Sequence, residues 1–287
     1  MHFLSRYNFL RRISACICLV SLFLNTLSPV FATDPADIIT VGSHPASSTL
    51  VGTKLYVMNS NDNFVSVIDT ATKKVTKSIT VGSHPISATI VDTTKLYVNN
   101  SGDNTISVID TASDTVTKTI TVGSHPVHSV LSGTKLYVSN SNENNITIVE
   151  TTNNTIVKNV DTATAGVIPY PSYGVVSSGK VFVLNVGSND IGVVTTSSNT
   201  LTKNISLTGS PASARLIGTK LYVNNLSSSN VTLINTADNT ITKVIPVEAG
   251  PIYSVVVGTK LYVMNKRGYS VSVIDTATNA VVATIPV

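Results

Sequence analysis

TKLYVMN at 53–59 returns as TKLYVNN at 94–100, TKLYVSN at 134–140, GKVFVLN at 179–185, TKLYVNN at 219–225 and TKLYVMN at 259–265. The offsets between successive copies are 41, 40, 45, 40 and 40 residues. A fixed period of this length marks one supersecondary unit copied in tandem, each copy covering faces that its neighbour leaves bare. The first unit shows what is copied. Four short segments rich in Val, Ile, Tyr and Thr (48–51, 54–59, 64–69 and 74–81) are separated by Gly, Asn, Asp and Pro. These are strand and hairpin signals, and no helical stripe follows residue 32. In the last segment Val75, Ile79 and Val81 alternate with Thr76, Ser78 and Thr80, which predicts an outer strand with one solvated face.

Four antiparallel strands in about 40 residues make a propeller blade, so the expected fold is an all-β propeller of four-stranded blades. The run from K-L-Y-V-x-N to V-S-V-I-D-T-A-T resembles the YVTN-type β-propeller repeats, over 37–287. That resemblance implies a propeller similar to those of surface-layer and seven-bladed lactonase-like proteins, and it implies export. It implies no reaction. One departure is visible: the turn between the first two strands is cut to Gly-Thr-Lys at Gly52, Gly218 and Gly258. Six complete strand sets are present, with an extra strand-like segment at Ile38–Val41 before them. The favoured reading is a closed six-bladed ring with Ile38–Val41 added outside the last blade or competing with its outer strand. A seven-bladed ring or an open arc is the alternative.

Residues 1–32 read as a cleaved signal peptide: Arg6, Arg11 and Arg12, an apolar run from Ile13 to Leu24, then Val30 and Ala32 before the cut. Residues 33–287 then form one domain. Cys16 and Cys18 leave with the leader, so no thiol or disulfide is expected in the exported protein. The leader holds three of the 19 basic residues and none of the 15 acidic ones, so the formal charge falls from +4 to +1. That balance gives no reason to expect nucleic acid as partner, and no membrane span is expected after the leader.

The remaining candidates are few. The V-G-S-H-P turns place His44, His84 and His125 in three successive copies. Imidazole is a metal ligand, but Gly-x-x-Pro is turn chemistry and copying a repeat copies its histidine. No metal and no cofactor are therefore expected. The repeat breaks in two places. Residues 161–173, DTATAGVIPYPSY, lose the histidine and bring Tyr170 and Tyr173; the loop at 266–269 brings Lys266, Arg267 and Tyr269. These five residues are the candidate binding set. Each second strand opens with Lys, and Lys54, Lys95, Lys135 and Lys260 stand 15 residues before Asp69, Asp110, Glu150 and Asp275. Hairpin register predicts four cross-strand ion pairs, and leaves Lys180 and Lys220 as a positive patch.

No nucleophile elbow, zincin helix, P-loop or thiol site is present, and the chain has no Trp for a sugar-stacking platform. No catalytic residues are named. The expected function is a secreted, non-catalytic propeller that binds a protein or surface glycan at the envelope or cell surface, in the periplasm or outside the cell. The alternative is a lactonase-like hydrolase, or a small-ligand or metal-binding periplasmic propeller, with its site at the top of the central channel.

Overall fold

The computed structural model describes residues 38–162 and 168–287; the leader and the middle of the 161–173 insertion lie outside them. All 24 elements are strands, and the described residues contain no helix. They form six antiparallel four-stranded sheets, each in simple sequence order. Blade one is β1 (Pro45–Val51), β2 (Lys54–Asn59), β3 (Phe64–Asp69) and β4 (Lys74–Thr80). Blade two is β5 (Pro85–Asp92), β6 (Lys95–Asn100), β7 (Thr105–Asp110) and β8 (Thr115–Thr121). Blade three is β9 (Pro126–Ser132), β10 (Lys135–Asn140), β11 (Asn145–Glu150) and β12 (Thr155–Asp161). Blade four is β13 (Pro171–Ser177), β14 (Lys180–Asn185), β15 (Asp190–Thr195) and β16 (Thr200–Ser206). Blade five is β17 (Pro211–Ile217), β18 (Lys220–Asn225), β19 (Asn230–Asn235) and β20 (Thr240–Pro246). Blade six is β21 (Pro251–Val257), β22 (Lys260–Asn265), β23 (Ser270–Asp275) and β24 (Ala280–Pro286). The chain divides into two compact units, one ending at Ser129 and the other beginning at Val130, so that the division falls within β9.

The middle strands of each blade match the sequence reading. The first strand starts three residues earlier, at the Pro that ends the turn. The outer strand is less one-sided than its alternation suggested. A bulge between Val67 and Ile68 shifts the β3–β4 register, and in β4 only Ile79 is buried. Ile38–Val41 forms no strand, and the sheet of blade six has four strands. The extra outer strand is therefore not formed. The reason is local: Gly42 sits against Phe64 and Asn59, and the Ser43 amide donates to Asp62, which ties this segment to blade one.

Side-chain alternation builds the core between blades. In β2, Tyr56 and Met58 project forward with Val65, Val67 and Ile79, and meet Leu96, Val98 and Ile109 of blade two. In the second unit, Tyr137, Ile146, Ile148 and Val160 meet Val181, Val183 and Val194 in the same way. Phe182, Leu184, Ile191, Val193 and Ile205 meet Ala214, Leu221, Val223 and Ile234. Tyr222, Val231, Leu233 and Ile245 meet Leu261, Val263 and Ile274. Within K-L-Y-V-x-N, then, Leu and Val serve the preceding blade while Tyr and the variable residue serve the following one. The forward face of blade six is covered least. Ile285 is 45% exposed, whereas its blade-five counterpart Ile245 is 2% exposed.

Candidate functional site

The repeated polar residues prove to be scaffold. In blades one to five the Asn that ends the second strand donates across the hairpin: Asn100 Nδ2 to Thr105 Oγ1 and Ser107 Oγ at 3.1 and 2.9 Å, and Asn225 Nδ2 to Asn230 Oδ1 and Thr232 Oγ1 at 2.6 and 2.7 Å. The acids that end the third strands cap their own turns. The Thr72 amide donates to Asp69, and the Ser113 amide to Asp110, and these bonds hold both carboxyls below the usual range.

The predicted ion pairs are corrected by the same turns. The Cα register is as expected, with Lys54 opposite Asp69, Lys95 opposite Asp110, Lys135 opposite Glu150 and Lys260 opposite Asp275. Among the described residues, Lys260 and Asp275 close such an ion pair within the blade. Lys54 reaches into blade two instead, to the Thr111 carbonyl at 2.9 Å and Asp114 at 2.7 Å. Tyr56 Oη donates to the same Asp114 at 2.5 Å. In the second unit the Asn199 amide bridges Lys135 and Tyr137. Lys180 donates to Thr236 O, Ala237 O and Asn239 Oδ1, and Lys220 to Thr276 O and Asn279 Oδ1. Lys180 and Lys220 are thus held by the next blade, through neutral carbonyl and amide oxygens that leave their positive charge in place. Asp114, Asn199, Asn239 and Asn279 share a left-handed conformation, with φ of 54°, 52°, 61° and 53°. Asn and Asp tolerate that conformation, and their side chains serve also as the acceptor for the preceding blade. Lys220→Met is expected to cost about 1 kcal/mol in a urea melt, by loss of these bonds. An unchanged midpoint would show that the latch contributes nothing.

The opposite turns hold the sequence-derived candidates. His44, His84 and His125 all sit at left-handed positions, with φ of 54°, 52° and 57°. The Ser60 amide donates to His44 O and the Ser101 amide to His84 O, so these residues clip the two loops of one blade together. Burial lowers the His125 pKa, and repulsion from His84 adds to this. Among the described residues no group of three His, Cys, Asp or Glu converges in a metal-binding arrangement. Adding zinc is expected to leave the melting temperature unchanged in a thermal shift assay, and a rise abolished by His84→Ala would contradict this.

Tyr170 takes the histidine's place in blade four, at φ 48°, and lies against Gly187. Tyr173 lies beyond the loop, in β13, where it packs on the core between blades four and five. The insertion therefore does not present two tyrosines side by side. Lys266, Arg267 and Tyr269 form the β22–β23 turn. The Lys266 and Arg267 amides donate to Gly250 O and Ala249 O, and Arg267 lies along Gly250. Tyr269 is 75% exposed at φ 45°, a position held elsewhere by Asn63, Asn104, Asn144, Asn189 and Ser229. An aromatic side chain in this region is strained, at a cost of order 1 kcal/mol. A shallow pocket of about 290 Å³ lies on the other turn side, between Gly133, Lys135, Tyr137 and Thr196, and its walls are the Lys–Tyr latch.

Sequence reasoning missed Arg215, in β17. Its Nη2 donates to Tyr253 Oη at 3.2 Å and to Ser254 O at 3.1 Å. The signal was available, since Thr49, Thr89, Val130, Val175 and Val255 occupy the matching positions in the other first strands.

No family model matches the chain, and no curated protein does. Solved structures do. Hydrazine synthase from Kuenenia stuttgartiensis superposes with a TM-score of 0.68 at 20% identity, covering 91% of this chain and 90% of that one. Apo AztD from Citrobacter koseri gives 0.65 at 15% identity over 86% of this chain and 72% of that chain. BamB from Moraxella catarrhalis gives 0.61 at 13% identity over 77% and 67%. At these identities the likeness shows the fold alone: this chain has the β-propeller fold, in six four-stranded blades.

Proposed function

We propose that this protein is an exported, non-catalytic propeller of YVTN type that binds a protein or surface glycan through its blade-six turn, in the periplasm or at the cell surface. The observation that carries this reading is Tyr269. Five blades place Asn or Ser at this left-handed position, and blade six places a ring that is 75% exposed. Strain kept at an exposed aromatic supports a role in contact rather than in folding. Lys266 and Arg267 flank it in the same turn and add charge and hydrogen-bond donors. Tyr170, at a second strained position within the 161–173 insertion, is assigned to recognition on the same reasoning, with Tyr173 supporting it from β13. The leader and the K-[LV]-[YF]-V-x-N repeat support export and kinship with the YVTN repeats.

The test pairs stability with binding. Tyr269→Asn is expected to raise stability by about 0.5–1 kcal/mol while weakening retention on envelope fractions. If retention survives the triple change Lys266→Ser, Arg267→Ser and Tyr269→Asn, the blade-six reading is wrong. Fractionation of the producing cells tests the location.

A further inference from the structure

The first strands of blades four, five and six carry Tyr173, Arg215 and Tyr253, where blades one and two have Ser47, Thr49, Ser87 and Thr89. In blade two those hydroxyls are spent between strands: Ser87 Oγ donates to Val127 O at 2.9 Å, and Thr89 Oγ1 to Ser129 O at 2.8 Å. The blade-five residue is a cation instead. The Arg215 guanidinium carbon lies 5.7 Å from the centre of the Tyr253 ring, and Nη2 is held by Tyr253 Oη and Ser254 O. Its Nε is buried and has no hydrogen-bond partner. Among the described residues no carboxylate pairs with it. A buried N–H left unpaired costs about 1–3 kcal/mol, more when it carries charge. The Tyr253 hydroxyl accepts from Arg215, so its own proton remains to be donated. The charge of Arg215 also reaches the Tyr173 hydroxyl, which burial keeps protonated. The Arg215 cation and the Tyr253 hydroxyl together offer donors to a planar oxyanion. A carboxylate matches the guanidinium fork and the flat ring beside it.

We propose that Arg215 and Tyr253, with Tyr173 beside them, bind the carboxylate group of a small organic acid. This site is separate from the blade-six turn and stands or falls independently of it.

The experiment is calorimetric titration of the protein with sodium benzoate and with sodium succinate, with sodium sulfate at equal ionic strength as the comparison. Saturable binding of at least one carboxylate is expected. Arg215→Met should weaken it by about 10–100-fold, the loss of charged hydrogen bonds worth some 1.5–3 kcal/mol. Arg215→Lys, which keeps the charge but not the fork, should also weaken it. Tyr253→Phe should weaken it less. Circular dichroism checks that each variant folds, and if Arg215→Met does not, Arg215→Lys and Tyr253→Phe decide the matter. The proposal is overturned if neither carboxylate binds the folded wild type, if the substitutions leave binding unchanged, or if sulfate binds as tightly as the carboxylates.

Discussion

Tyr222→Ala is expected to lower unfolding stability by about 3–5 kcal/mol, and Tyr222→Phe by only about 0.5–1.5 kcal/mol. The two numbers separate what the ring does from what the hydroxyl does. The ring is fully buried between blades five and six, against Leu261, Val263 and Ile274. Removing it leaves a cavity that rigid sheets on both sides cannot collapse to fill. The hydroxyl donates to Asn279 Oδ1 at 2.5 Å, yet Lys220 reaches the same oxygen, so that acceptor keeps a partner in the phenylalanine variant. Calorimetric or urea unfolding of the three proteins measures the gradient. A loss below 1 kcal/mol for alanine would mean that the blade interface is not packed as described.

The second large effect is a dependence on pH that runs through His128. Burial pushes this imidazole down from 6.5 to about 4. The folded protein therefore keeps it neutral while the unfolded chain takes up a proton below pH 6.5. Its contribution is undiminished above pH 6.5 and falls away as the pH drops toward 4, by about 2–3 kcal/mol. His128→Gln, which cannot be protonated, removes that part of the slope. Chemical melts of wild type and variant at pH 8 and at pH 4.5 should bring the two closer, or reverse their order, at the lower pH. Other acid-sensitive groups are common to both proteins and cancel in the difference. A stability gap that stays constant between the two pH values would place His128 in a solvated setting instead.

Much of this architecture is legible in the chain because each blade is a local object. Hairpin register follows from turn length, so Lys54 opposite Asp69 could be read from spacing alone. The partner of the Lys54 ammonium could not. It depends on which turn of the next blade comes within reach of a long flexible stem, and that is set by the packing of sheet on sheet. Asp114 lies 60 residues on and looks like ordinary turn chemistry until the blades are stacked. Tyr173 was misplaced for a related reason: a proline on each side of Tyr170 made the whole segment read as loop, whereas β13 begins at Pro171. Arg215 broke the repeat as plainly as the loop residues did. It lies in a strand, where a lone substitution reads as packing until Tyr253 is seen across from it.

The Lys–Tyr latch has a direction. At the junctions after blades one, three and five Lys and Tyr donate together, and after blade four Lys180 donates alone beside Phe182; in all four the donors belong to the earlier blade and the receiving turn to the later one. A blade emerging from a ribosome thus carries its own donors but must wait about 60 residues for the oxygens that receive them. Assembly is then asymmetric in time, with each blade finished by its successor. Chains truncated after a given blade should lose protection from hydrogen exchange in the forward strand face of the last blade made, while earlier blades stay closed.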